Sequence, residues 1–234
     1  MKSATSMLLG GALALLSLPA LAAGTATMRM QEGPQGGPGN MSLLWNDQGN
    51  VRMNIDGEPG YLVVRDGKAY AVRNEGGQTL VLDLSAMQQA MGAATGGKGP
   101  GGPEVEGLSG DTELLSLDAT GEARTVAGID GEVYRMEWLE NGDQRDAEVV
   151  LSDDPRALEL TRAFDVMAGS MGVGADQDPD GVMQGLEDRG LGLLRMEGQF
   201  EVVSVSSGAP DDGTFELPAE PTDLMQMMQQ MQQQ

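Results

Sequence analysis

Apolar and polar positions alternate along much of this chain, in runs too short for helices and well suited to strands. Six such runs occupy residues 25–31, 41–45, 51–55, 61–65, 69–73 and 78–84. Val51, Met53 and Ile55 fall on one side of their run, and Arg52 and Asn54 on the other. Tyr70 and Val72 share a side, as do Leu80, Leu82 and Leu84. Asp47-Gln48-Gly49, Asp56-Gly57, Asp66-Gly67 and Asn74-Glu75-Gly76-Gly77 supply turns between runs. The pattern predicts an antiparallel meander with one apolar face. A second meander is predicted over 113–118, 123–129, 132–140 and 146–151, with turns at Asp130-Gly131 and Asn141-Gly142. Tyr134, Met136 and Trp138 mark its apolar side. A final hairpin, 190–197 with 199–206, turns at Gly198.

Helical spacing is confined to two places. Ser85 can cap a short helix over 86–94. Ser152 or Asp153 can cap a longer one, with Pro155 in its first turn and Leu160, Phe164 and Met167 as an apolar stripe. Gly169, Gly172 and Gly174 are expected to end it. Residues 95–104 form a Gly/Pro-rich loop. The spacing Gly97-x-Gly99-x-x-Gly102 matches a dinucleotide-binding turn, but Pro100 and Pro103 interrupt the strand and helix such a turn requires.

A meander with one apolar face and few helices buries that face by curling over them. The expected fold is therefore mainly β (α+β), a curved antiparallel sheet with a few helices on its concave side. Met53, Ile55, Tyr70, Val72, Leu82, Met136 and Trp138 would face the interior. They either pack a solid core or line a cavity for a lipid or other apolar molecule.

The ends of the chain set its compartment and boundaries. Lys2, the apolar run 7–18, Pro19 and Ala20-Leu21-Ala22 form an export signal, with the cut expected before Ala23. The apolar run is too short for a permanent membrane helix. With no Cys there is no lipid attachment, so a periplasmic or secreted protein is expected. The expected divisions are a signal peptide at 1–22, one β-rich domain at 23–220 and a Met/Gln-rich tail at 221–234. Soft thioethers in that tail can hold Cu(I), although a frayed terminus is the plainer reading.

The formal charge of -22 repels phosphate backbones and anionic headgroups, which argues against nucleic-acid partners and electrostatic membrane docking. The absence of both His and Cys removes the usual general base, thiolate nucleophiles and most transition-metal ligands. No carboxylate pair stands out for acid/base work, so no catalytic residue is assigned and a non-enzymatic protein is expected. A protein partner cannot be named from the sequence.

The order of elements carries a resemblance. An export signal precedes a meander with Val51-Arg52-Met53, then Val126-Ala127-Gly128-Ile129-Asp130-Gly131-Glu132-Val133-Tyr134, a helical insertion, a late strand pair and Phe215-Glu216-Leu217-Pro218. This order resembles periplasmic proteins with a fold like the lipoprotein carriers LolA and LolB. The resemblance implies a half-open barrel whose helices plug an apolar concave side, where some members shelter acyl chains. It transfers no functional residue.

The sharpest local motif runs from Asp176 to Glu187 and satisfies the calcium-loop pattern D-x-[DN]-x-[DN]-G-x5-E. Asp176, Asp178 and Asp180 would supply hard oxygen ligands, and Gly181 the bend. Val182 would offer its carbonyl, Gln184 a direct or water-mediated contact, and Glu187 a bidentate carboxylate. Glycines interrupt both flanks of this acidic loop (172–189), and no second hand exists to pair with. The alternative expectation is thus a calcium-stabilised structural or interaction protein of the cell envelope; a merely solvated loop is the plain reading.

Overall fold

The computed structural model describes residues 22–31, 37–87, 112–140, 142–171 and 181–222. Residues 1–21 of the expected 1–22 export signal, most of the expected 86–94 helix, the 95–104 segment, Asp176, Asp178, Asp180 and the tail beyond Thr222 lie outside them.

Eleven strands form one antiparallel sheet. The first meander comprises β1 (Gly24–Met30), β2 (Gly39–Trp45), β3 (Val51–Ile55), β4 (Gly60–Arg65), β5 (Lys68–Glu75) and β6 (Gln78–Asp83). The second comprises β7 (Thr112–Val126), β8 (Ile129–Glu140), β9 (Asp143–Ser152), β10 (Gly192–Met196) and β11 (Phe200–Ser207). The strand order β6-β5-β4-β3-β2-β1-β11-β10-β9-β8-β7 joins the two meanders through the β1–β11 pair. Helices α1 (Pro155–Ser170) and α2 (Val182–Glu187) are inserted between β9 and β10. Residues 84–87 are also helical.

The expected turns are largely present. At Asp66-Gly67 both residues have positive φ, 52° and 71°, the geometry a two-residue hairpin favours. Two expectations are corrected. The segment predicted as strands 113–118 and 123–129 is one long strand, β7, whose pairing with β8 shifts between Ala119 and Ala123. The β7–β8 turn falls at Ala127-Gly128, with Val126 opposite Ile129, while Asp130-Gly131 lies inside β8. Gly131 has a different use there. A Cβ on it would meet the Leu151 carbonyl oxygen at 2.7 Å and Val150 Cγ1 at 2.9 Å. Its missing side chain lets β9 pack close.

The cap of α1 also falls later than predicted, one residue after Asp153 and two after Ser152. Asp154 is the N-cap, and its Oδ1 accepts from the Arg156 backbone N–H at 2.8 Å. The Arg156 side chain bonds the same carboxylate and holds it below its ordinary pKa. The helix runs through Gly169 to Ser170, so Gly169 does not end it. It buries Ala157, Leu160, Thr161, Ala163 and Met167.

Curvature follows from what α1 touches. It contacts both β5 and β9, which lie seven places apart in the strand order. A flat sheet would separate those strands by about 34 Å, against a helix roughly 10–12 Å across. The sheet therefore wraps round α1. The main core lies on this helix-side, inner face and includes Leu43, Val51, Met53, Val64, Met136, Trp138, Leu160 and Met167.

A second, smaller core lies on the outer face of the first meander. Val63, Val72, Val81 and Phe215 are buried there, with Leu44, Tyr61, Tyr70 and Leu217 packed around them. Phe215 arrives on a segment that follows β11, passes through a short 3-10 turn (Asp212–Phe215) and reaches Thr222. Arg52 Nη1 donates to the Thr214 carbonyl at 3.1 Å, and its guanidinium carbon sits 3.6 Å from the Tyr61 ring centroid. The Thr222 N–H donates to Val81 O at 2.7 Å. The Phe-Glu-Leu-Pro motif is thus the anchor of a strap across the sheet's outer side.

Candidate functional site

The register of the first meander sets one apolar row on the inner face. Leu43 pairs with Met53, Met53 with Leu62, Leu62 with Ala71 and Ala71 with Leu82. Two residues along, on the same face, Met41 pairs with Ile55. Toward the β3–β4 turn the described residues leave this face incompletely covered. A half-open cleft of about 320 Å³ lies there, lined by Met53, Ile55, Glu58, Pro59, Gly60, Tyr61, Leu62, Ala71, Val72 and Arg73. Its floor is apolar, with Ile55 and Leu62 only partly buried.

The lip of the cleft is charged. Glu58 sits in the β3–β4 turn, and Arg73 stands opposite Gly60 across the β4–β5 pair. The Asn74 N–H donates to Pro59 O at 3.1 Å, tying the turn to the residue after Arg73. Gly60 cannot carry a side chain, because a Cβ there would run into the Val72 carbonyl oxygen. Across this strand pair Arg73 therefore faces no side chain, only backbone.

The seven residues expected to line an interior part into three groups. Met53 and Ile55 border the cleft from the inner face, and Leu82 lies on that face in the same cross-strand row as Met53. Tyr70 and Val72 have their side chains in the outer core with Phe215, although Val72 also borders the cleft rim. The expectation that all would face one interior fails for this pair. The inner-face residues of β5 are the small Ala69 and Ala71, and the larger Tyr70 and Val72 point the other way. Met136 and Trp138 are sealed in the main core, 0% and 3% exposed. The Trp138 indole N–H has no hydrogen-bond partner among the described residues.

Sequence reading missed Leu62, Ala71, Arg73 and the glycine opposite Arg73. A signal for them existed. Once Asp66-Gly67 is taken as a two-residue turn, Arg65 faces Lys68 and the ladder places Leu62 opposite Ala71 and Gly60 opposite Arg73.

The acidic motif is described only from Gly181 onward. Val182 is buried and opens α2, so its carbonyl lies at the start of a helix and not along a wrapping loop. Gln184 Nε2 donates to Asp188 Oδ1 at 2.9 Å. Glu187 accepts from Arg162 Nε at 2.8 Å, an ion pair that joins α2 to α1. Arg162 also bonds Glu159, whose other oxygen accepts from the Ala22 N–H. Nearby, burial and then the Glu187 charge raise the pKa of Asp165. Among the described residues, no group of three or more His, Cys, Asp or Glu could hold a metal ion.

No protein-family model matches the sequence. No curated protein matches it either. Among solved structures, a crystal structure of MucB is similar at 16% identity and a TM-score of 0.35, covering 85% of this chain. The aligned part spans 58% of that protein. A likeness of this size shows neither a family nor a function. Among the described residues no helix is long and apolar enough to cross a membrane.

Proposed function

We propose that this is an exported, non-enzymatic binding protein of the periplasm, which shelters a lipid or other apolar molecule against the inner face of its curved sheet. One observation carries the reading: the open cleft bordered by Met53, Ile55, Leu62 and Ala71, beside the packed main core. Its size lies at the lower end of small-molecule sites, and an apolar floor with a few polar groups at the lip suits an amphiphile. The absence of His and Cys from the sequence agrees with binding in preference to catalysis.

The test is to purify the protein from its own host and examine it by native mass spectrometry and solvent extraction. An apolar molecule should co-purify. Ala71→Trp, which fills the cleft from its floor, should release that molecule while the far-ultraviolet circular dichroism is retained. A wild-type protein that emerges empty, and takes up no acyl probe, overturns the proposal.

A further inference from the structure

We propose that the cleft selects a single-chain zwitterionic amphiphile, a monoacyl phospholipid whose phosphate meets Arg73 and whose ammonium meets Glu58. This rests on the cleft being a binding site.

The volume limits the apolar part. About 320 Å³ suits one chain segment and not the paired chains of a diacyl lipid. The charges at the lip specify the head. The Arg73 side chain, like those of Arg29 and Arg135, has no ion-pair or hydrogen-bond partner among the described residues, and of these three Arg73 alone borders the cleft; Arg124, Arg145, Arg156, Arg162 and Arg195 are held by internal carboxylates. The Glu58 side chain is likewise unpaired among the described residues, and both side chains are exposed. The bond from Asn74 N–H to Pro59 O keeps these two charges on one lip.

A guanidinium recognises a phosphate through paired N–H donors, and a carboxylate recognises an ammonium. The whole chain adds a further selection. At a formal charge of -22, it repels a net-anionic amphiphile before contact, whereas a zwitterion approaches without net repulsion. Glu58 beside the cleft reinforces that bias at short range.

The experiment titrates the full chain with four probes of equal chain length, all below their micelle concentrations, and with one head group lacking a chain. The probes are a monoacyl phosphoethanolamine, a monoacylglycerol, a fatty acid and an alkylammonium; the chainless control is glycerophosphoethanolamine. The phosphoethanolamine should bind about tenfold more tightly than the monoacylglycerol, the scale of one charge-assisted contact. Arg73→Gln should abolish that preference and leave monoacylglycerol binding unchanged. Glu58→Gln should shift the preference toward the fatty acid. Equal binding of all four probes, or an unchanged preference in Arg73→Gln, overturns the head-group assignment while the cleft survives. Failure of the monoacylglycerol as well, or equal binding of the chainless head group, overturns the cleft itself.

Discussion

On the inner face of β8, Met136 and Trp138 are shut away from solvent; on that of β3 to β5, the row through Met53, Leu62 and Ala71 runs out into an open cleft. The difference lies in how the helices are shared. Both α1 and α2 pack against the second meander, with α2 resting on β7 and β10. Of this pair α1 packs on the first meander, Leu84 and Ser85 of the short 84–87 helix add inner-face cover beside β5, and the strap carrying Phe215 covers the opposite face. One half of the sheet thus uses its inner face as core. The other keeps part of that face available and gains stability from outside.

Truncations should expose this division. Met136→Ala leaves a cavity with no route for collapse and should cost about 3 kcal/mol in chemical denaturation. Ile55→Ala, at the partly solvated cleft border, should cost about 1 kcal/mol, since its side chain loses less burial. Equal losses would erase the distinction between the halves. Phe215→Ala should fall between them, at about 2 kcal/mol, because the strap can peel away and let the outer face relax. Limited proteolysis should then cut between Gly208 and Thr222 before the sheet unfolds. Simultaneous loss of strap and sheet would mean that the outer core supports the whole fold.

Alternation within a strand disclosed most of the first meander, because the side-chain period is two and the Asp-Gly turns fix the register. It could not disclose which face each run presents to the helices. Tyr70 and Val72 form as good an apolar pair as Met53 and Ile55, yet a one-residue offset in β5 turns them outward. In the second meander Asp130-Gly131 has the composition of a turn. The close approach of β9 is a tertiary reason for that glycine, invisible to local pattern, and the true turn uses Ala127-Gly128 with φ of 53° and 74°. The open cleft depends on which strands the helices cover, which no periodicity encodes.

The junction of α1 with α2, the helix that rests on β7 and β10, gives a smaller test. Glu187→Gln removes the partner of Arg162 and should lower the Tm by about 2 °C in calcium-free buffer, the scale of a partly exposed ion pair. The calcium-loop pattern makes a separate demand. If Glu187 closes a calcium site with Asp176, both Asp176→Asn and Glu187→Gln abolish any calcium-induced rise in Tm, and Arg162→Gln enlarges that rise by freeing the carboxylate. An unchanged calcium response in Glu187→Gln leaves the ion pair as its role.

The smallest effect should have the opposite sign. Asp165 lies on α1, its carboxyl raised in pKa first by burial and then by the charge of Glu187. A carboxyl whose folded pKa exceeds its unfolded value binds its proton more tightly in the folded state. Its contribution is fully present below the unfolded pKa and is lost as pH rises through the folded one. At pH 7 the ionised group is therefore a net cost, and Asp165→Asn should raise the Tm by about 1 °C. The gain should shrink as pH falls through the carboxylate range, where wild-type Asp165 becomes neutral. In the Glu187→Gln background the gain at pH 7 should also be reduced, because one of the two causes of the raised pKa has gone. A gain of equal size at every pH would show that the substituted amide acts through packing and not through charge.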